Sequence, residues 1–168
     1  MKGSGVIIAA GIMIMSGYVS MAGMDMHEEM GPIPYRGEGK HVMINAGELE
    51  WTDIASMAPP AQIAIIEGDL SKEEPFTFRL KLPAGYIVAP HIHPAYERVT
   101  VLQGTFHFAH GKEFDRDKTM ALDVGGVAIM PPGAPMFGYT EEETIIQLHG
   151  TGPWGIEYIN PEDDPRKQ

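Results

Sequence analysis

The sequence contains no cysteine. A chain without cysteine forms no disulfide, offers no thiolate to a metal ion and has no cysteine nucleophile. It also has no cysteine on which a lipoprotein anchor could be attached. A metal site in this chain therefore depends on imidazole, carboxylate or thioether groups, and the sequence supplies 7 His, 23 Asp and Glu, and 12 Met.

Basic residues are few. The chain has 12 Lys and Arg against 23 Asp and Glu, which gives a formal net charge of −11 at pH 7, and the basic residues are scattered. Proteins that bind nucleic acids use basic patches to neutralise phosphates, so this composition argues against nucleic acid as a partner. The acidic balance by itself indicates no class of substrate.

Hydrophobic runs are short. The apolar run near the amino terminus, Val6–Met15, has ten residues, whereas a membrane-spanning helix needs about 20. Lys2 precedes the run, and Ser20 and Ala22 are small residues of the kind found before a signal cleavage point. We therefore expect residues 1–22 to be a cleaved signal peptide, no stable membrane span to remain after processing, and the mature protein to be periplasmic or secreted. An uncleaved anchor and a disordered tail are the alternatives.

Residues 23–45 show little periodicity and are rich in Gly and Pro, which predicts a flexible linker. Within this stretch, Met24, Met26, His27 and Met30 offer thioether and imidazole groups, which suit copper and Cu(I) in particular. A solvated arm without a metal role is the simpler interpretation of the same residues.

Turn residues dominate the rest of the chain. With 20 Gly and 14 Pro in 168 residues, a β protein is favoured over a helical bundle. Short alternating segments follow one another, and the clearest is Phe76–Leu82, with apolar residues at even positions. The polar stretch 111–119 is predicted to be a loop with one helical turn. We predict an all-β domain over residues 46–160, a sandwich or barrel, followed by a polar tail at 161–168.

Two tight hairpins are predicted from turn residues, one at Gln103–Gly104 and one around Glu141–Glu143. With a two-residue turn, the first hairpin brings His110 opposite Glu97 on the neighbouring strand. In that register His110 is a candidate site residue. If His110 lies instead at the rim of the sheet, it has no such role.

The stretch from Gly85 to Gly104 holds three side chains that ligate metals. In an extended strand His91 and His93 point to the same face, and Pro94 then predicts a bend because it has no N–H to donate. Glu97 begins a further alternating run. Two imidazoles and one carboxylate on an inner surface make a three-ligand site with open positions, a plan typical of reactive metals.

These residues satisfy the pattern G-x5-H-x-H-x3-E-x6-G at every fixed position. The pattern resembles the first motif of the cupin superfamily. The resemblance implies a cupin jelly-roll β-barrel with one divalent transition metal per chain held by His91, His93 and Glu97. It leaves the identity of the metal open among Fe, Mn, Zn, Ni and Cu.

The resemblance continues into a second motif, G-x5-P-x-G-x2-H-x3-N, but only in part. Its first three fixed positions are occupied by Gly125, Pro131 and Gly133. Met136 stands at the histidine position, which is usually the fourth ligand in the family, and Thr140 stands at the asparagine position. Three hypotheses follow: Met136 ligates through sulfur, Met136 forms an apolar wall, or His149 replaces the missing imidazole. A thioether is a poor ligand for hard metals, which favours the apolar wall.

The segment from Gln147 to Gly155 is similar to the end of a group of small, exported single-domain cupins. That group has no firmly assigned reaction, so the resemblance implies a metal and a pocket more than a substrate. It also makes His149 a candidate pocket residue, with a histidine hydrogen-bonded within the sheet as the alternative.

Three classes of function are compatible with these residues. The first is a small-molecule enzyme: a dioxygenase with Fe(II), or an isomerase or lyase in which the metal is a Lewis acid. The second is a non-catalytic envelope protein that binds copper or a small molecule. The third is a barrel without metal, which the intact first motif argues against. The resemblance also implies a homodimer through outer strands.

Overall fold

The computed structural model describes residues 42–168. The predicted signal peptide at 1–22 lies outside the described residues, as does most of the predicted linker at 23–45. Among the described residues, no helix is long and apolar enough to cross a membrane.

The regular secondary structure of residues 42–168 is mainly β-strand. The strands are β1 Thr52–Asp53, β2 Gln62–Glu67, β3 Pro75–Leu82, β4 Ile87–Ile92, β5 Glu97–Gln103, β6 Phe106–His110, β7 Met120–Leu122, β8 Val127–Met130, β9 Met136–Thr140, β10 Thr144–Thr151 and β11 Glu157–Tyr158. Short 3₁₀ helices span Ala46–Glu48, Arg116–Lys118, Pro161–Asp163 and Pro165–Lys167. The predicted single turn in the loop 111–119 is confirmed by the second of these helices.

The strands form two antiparallel sheets. One has six strands in the order β1-β2-β3-β10-β5-β8, and the other has five in the order β11-β4-β9-β6-β7. Neighbours in the sheets are mostly distant in sequence, because the chain passes from one sheet to the other at most turns. This is the jelly-roll arrangement that the sequence predicted.

The hydrophobic core lies between the sheets. In β3 the even positions are buried and the odd positions are more exposed, as the alternation predicted. Phe76 and Phe78 are 1% and 0% exposed, with ring centroids 5.7 Å apart. From the opposite sheet, Phe106 and Met136 belong to the same core cluster. Burying large side chains from both sheets contributes about 1.5–3 kcal/mol for each residue.

The prediction of two hairpins is wrong. β5 pairs with β10 and β8, whereas β6 pairs with β7 and β9, so the turn at Gly104 joins two sheets. The turn around Glu141–Glu143 does the same, because β9 and β10 lie in different sheets. The two turns pack together: Thr144 Oγ1 donates to Thr105 O at 3.1 Å. Turn residues predict where a chain reverses, but they do not predict whether the strands on either side pair.

The polar tail at 161–168 is folded onto the domain. The buried carboxylate of Asp164 accepts hydrogen bonds from Arg166 Nε at 2.7 Å and Nη2 at 2.9 Å. Arg166 Nη2 also donates to Ile156 O at 3.0 Å. These contacts tie the carboxyl terminus to the segment between β10 and β11, which lies beside the candidate site.

Candidate metal centre

His91 and His93 lie at the end of β4, on its inner face. Both side chains are buried, at 4% and 2% exposure. The two Nε2 atoms are 3.1 Å apart, so the alternation of the strand brings the imidazoles together as the sequence predicted. β4 ends at Ile92, so His93 is the first residue beyond the strand and Pro94 follows it where the chain leaves the sheet.

Glu97 approaches from the other sheet. It is the first residue of β5, and three residues separate it from His93. Its carboxylate is buried, and Oε1 is 3.2 Å from His93 Nε2. The short crossing from β4 to β5 therefore places the three side chains in one cluster between the two sheets.

The second nitrogen of each imidazole is held by a backbone carbonyl. His91 Nδ1 is 2.7 Å from Ala89 O, and His93 Nδ1 is 2.6 Å from Gly155 O. A carbonyl oxygen only accepts, so Nδ1 of each ring carries the proton and donates it. When neutral, each ring therefore presents an unprotonated Nε2 to the centre of the cluster. The same arrangement, with a carbonyl accepting from the distal N–H, is typical of metal-ligating histidines.

Three electron-rich groups consequently face one another. Two imidazole lone pairs and one carboxylate converge, and Glu97 Oε2 is buried without a hydrogen-bond partner among the described residues. A buried carboxylate oxygen without a partner is costly. A cation held between the three side chains would relieve the repulsion.

Burial also acts on the proton affinity of the cluster. Desolvation, with the nearby imidazole of His93 as a second cause, lowers the pKa of His91 to about 4. The imidazole of His91 is therefore neutral at physiological pH, the state in which histidine binds a metal ion.

The distances fit a shared metal ion. Two nitrogens about 2.1 Å from one metal are roughly 3.0–3.4 Å apart for ligand angles of about 90–110°, and the observed separation of the Nε2 atoms is 3.1 Å. Within residues 42–168, however, no group of three or more His, Asp or Glu side chains is already arranged as a complete metal site. The Nδ1–H donors of both rings and the Oε2 of Glu97, unpartnered within these residues, nevertheless fit a cation between the three side chains.

The cluster lies at the side of a small apolar cavity. His91, His93 and Glu97 line it together with Met57, Leu80, Leu82, Val88, Val99, Phe106, Phe108, Ile146, Leu148, Trp154 and Ile156. No Lys or Arg is among these residues. The space open to the centres of water-sized molecules is about 30 Å³, which is room for very few such molecules.

The other candidate residues lie outside this cavity lining. Met136 is fully buried in the core and pairs with His91 on the neighbouring strand, but it does not line the cavity. His110 pairs with Met136 rather than with Glu97, and it is exposed at the end of β6. The predicted register that placed His110 opposite Glu97 is therefore wrong, because β5 and β6 lie in different sheets.

His149 is exposed on β10, next to the buried Leu148 that lines the cavity. Its strand neighbours are Thr77 and Arg98. Because side chains alternate along a strand, His149 points away from the cavity. The structure thus brings together His91, His93 and Glu97, and does not bring His149 to them.

Sequence reasoning missed two contributors to the site. Gly155 supplies the carbonyl that accepts from His93, and the indole of Trp154 stacks on the His93 ring with centroids 4.4 Å apart and planes at 22°. Both residues belong to a segment that the family resemblance had singled out. Their role depends on a contact across 62 positions of sequence, which no local pattern indicates.

Comparison with known proteins agrees with the fold. A family profile described as "Domain of unknown function (DUF4437)" matches residues 43–165. No curated protein matches the sequence.

Three solved structures illustrate the likeness. KdgF from Halomonas sp. is 19% identical with a TM-score of 0.53, and the match covers 67% of this chain and 96% of that one. An RmlC-like cupin from Shewanella frigidimarina is 15% identical with a TM-score of 0.52, covering 64% and 87%. Salicylate 1,2-dioxygenase from Pseudoaminobacter salicylatoxidans, solved with gentisate, is 16% identical with a TM-score of 0.51; the match covers 62% of this chain and 30% of the enzyme.

Proposed function

Because the chain belongs to the DUF4437 family and has the cupin fold, we propose that it is a metal-dependent enzyme that acts on a small molecule. One observation carries the proposal. His91 and His93 direct their Nε2 atoms at a common point with Glu97, at the side of an apolar cavity.

In this proposal His91, His93 and Glu97 hold one divalent metal ion. Two imidazoles and one carboxylate with open positions form the donor set of non-haem Fe(II) oxygenases, and the same set binds Mn, Zn, Ni or Cu. When bound, the metal supplies a Lewis acid or a site for O₂. The protein holds both histidines in the required tautomer, and the apolar walls keep bulk water away from the ligands.

The cavity limits the substrate. Its walls offer no Lys or Arg to balance a second negative charge, and an unpaired buried charge is costly. A substrate anion would therefore be balanced by the metal alone, and the rest of the molecule would be apolar. Since the open space is about 30 Å³, a ligand of more than a few atoms must displace part of the wall.

Dioxygenase chemistry is the first reaction to test, since a solved dioxygenase shares the fold, and isomerase or lyase chemistry is the second. Protein reconstituted anaerobically with Fe(II) should consume O₂ when mixed with small phenols or diketones. A variant with His91→Ala and His93→Ala should not do so under the same conditions. O₂ uptake that is equal in both proteins, or absent from the Fe(II)-loaded protein with every candidate, would argue against a dioxygenase.

The small volume of the cavity favours a second candidate function. A site that admits little more than the metal and a few atoms suits a non-catalytic metal-binding protein of the cell envelope. Copper was suggested by the thioether of Met136 and by the Met-rich stretch at 24–30; Met136 does not line the cavity, and the Met-rich stretch lies outside the described residues. Tight, reversible metal binding without turnover of any tested substrate would support this second function.

Two further proposals concern the location and assembly of the protein. Export rests on the sequence of residues 1–22, and the amino-terminal sequence of protein purified from cells tests it; a soluble protein that starts at Met1 would contradict it.

A homodimer is proposed because the edge strand β8 exposes Val127 and Ile129, both at 61%, and exposed apolar edges favour pairing. Sedimentation that gives a monomer near 18 kDa would contradict it.

A further inference from the structure

We propose that Trp154 is a positioning residue, and that the segment Gly152–Ile156, called here the clamp segment, fixes the imidazole of His93 for metal binding. Trp154 stacks on one face of that ring, with centroids 4.4 Å apart. The next residue, Gly155, accepts the Nδ1–H at 2.6 Å. One contact sets the plane of the ring and the other sets its rotation and tautomer. The inference rests on the proposed metal centre.

The two histidines are supported differently. His91 Nδ1 donates to Ala89 O, two residues earlier in the same strand, so β4 itself orients His91. Apart from the ring of His93, whose centroid is 4.8 Å away, the aromatic ring beside His91 is that of Tyr158, at a centroid distance of 6.2 Å and a tilt of 57°. His93 lies one residue beyond the end of β4 and directly before Pro94; its backbone O accepts from Gly133 N at 2.9 Å, but no group of β4 bonds to its ring nitrogens other than the neighbouring His91. The orientation of His93 therefore depends on the clamp segment.

The clamp segment is itself well anchored. Trp154 N donates to Leu70 O at 2.7 Å, and Gly152 N donates to Glu74 O at 3.0 Å. Arg166 Nη2 donates to Ile156 O at 3.0 Å. The indole also packs edge-on against Phe78 with centroids 5.0 Å apart. Backbone bonds on both sides of Trp154 and a fully buried Phe beneath it leave the indole little freedom to move.

The indole N–H takes no part in this anchoring. Trp154 Nε1 is buried and has no hydrogen-bond partner among the described residues. The ring is therefore positioned by packing and stacking alone. A Phe at this position keeps a flat ring against His93 and loses no hydrogen bond, so Trp154→Phe should preserve the function of the clamp segment and Trp154→Ala should not.

The first test measures Zn(II) affinity by competition with a chromogenic chelator. Partners that orient a ligating histidine typically contribute 10–100-fold to metal affinity. We expect Trp154→Ala to weaken Zn(II) binding by about 10-fold or more, and Trp154→Phe to restore it to near the wild-type value. Trp51→Ala is the matched control: Trp51 packs under Lys81 Nζ at 4.2 Å, does not line the cavity, and should leave affinity unchanged.

The second test reads the ring of His93 directly in the metal-free protein. Long-range ¹H–¹⁵N NMR of the histidine side chains should show His93 as a single Nδ1–H tautomer in the wild type and in Trp154→Phe. In Trp154→Ala, or in Trp154→Leu if the alanine variant fails to fold, the same ring should exchange between tautomers while His91 remains as it was. A merely structural loss would affect both rings.

Two results would overturn the inference: wild-type Zn(II) affinity in a folded Trp154→Ala or Trp154→Leu variant, or an Nε2–H tautomer of His93 in the wild-type apoprotein. If the wild type binds no metal through His91 and His93, the proposed metal centre fails instead. The NMR comparison still distinguishes the two failures, because it uses the apoprotein.

Discussion

Glu97→Gln separates the cost of the buried carboxylate from its role as a ligand. The substitution keeps the shape of the side chain and removes its charge. In the structure, Glu97 is 5% exposed, Oε1 lies 3.2 Å from His93 Nε2, and Oε2 has no partner among the described residues. The new amide would donate an N–H to the unprotonated Nε2 of His93. The metal-free variant should therefore be at least as stable as the metal-free wild type.

Metal should stabilise the Glu97→Gln variant much less than the wild type. A metal present at 100 times its Kd stabilises the folded protein by about 2.7 kcal/mol, which is roughly 10 °C in Tm for a domain of this size. If losing the carboxylate weakens binding by about 100-fold, the same metal concentration contributes only about 0.4 kcal/mol, or roughly 2 °C. Thermal unfolding by circular dichroism, with and without Zn(II), measures both shifts.

Glu142→Gln is the matched control, because Glu142 is exposed on the turn between β9 and β10. It should show the full wild-type shift. A Glu97→Gln protein that gains as many degrees from Zn(II) as the wild type would refute the assignment of Glu97 as a ligand. A metal-free Glu97→Gln protein that is several kcal/mol less stable would refute the argument that the carboxylate lacks a partner.

Three further predictions concern the fold and the boundary of the site. Phe78→Ala should lower the free energy of unfolding by about 3–5 kcal/mol in urea denaturation, because Phe78 is 0% exposed, whereas Met120→Ala, at a 66% exposed position, should change it by less than about 0.5 kcal/mol. Gly104→Ala should lower the free energy of unfolding more than Gly85→Ala does. Both glycines have positive φ, but a Cβ at 104 would lie 2.7 Å from Glu143 O, whereas one at 85 meets no atom within 4 Å. Equal losses of stability in the two variants would contradict this. His149→Ala should leave metal content unchanged, and a large loss would restore His149 as a ligand.

Local sequence patterns predicted the burial of β3 and the cluster of candidate ligands, because the residues involved are close to one another in sequence. The alternation of β3 follows from the two-residue period of a strand, and it placed Phe76 and Phe78 in the core. The same period placed His91 and His93 on one face. Glu97 follows His93 by only four residues, and a connection this short brings it to the same end of the barrel.

The rest depended on contacts between distant residues. The turns at Gly104 and around Glu141–Glu143 could be predicted from the sequence, but the passage of the chain from one sheet to the other at these turns could not. Because β5 and β6 lie in different sheets, His110 is not opposite Glu97. The supports of His93 come from Trp154 and Gly155, 61 and 62 residues later. No periodicity links residues so far apart, although the family resemblance had marked the segment that contains them.

Metal analysis of freshly purified protein tests the central claim most directly. The wild type should contain up to one divalent transition metal per chain, and after incubation with metal and removal of the excess it should contain one. The variant with His91→Ala and His93→Ala should contain almost none after the same treatment. Equal metal content in the two proteins, or a wild type that retains no metal from any of Fe, Mn, Zn, Ni and Cu, would contradict the account.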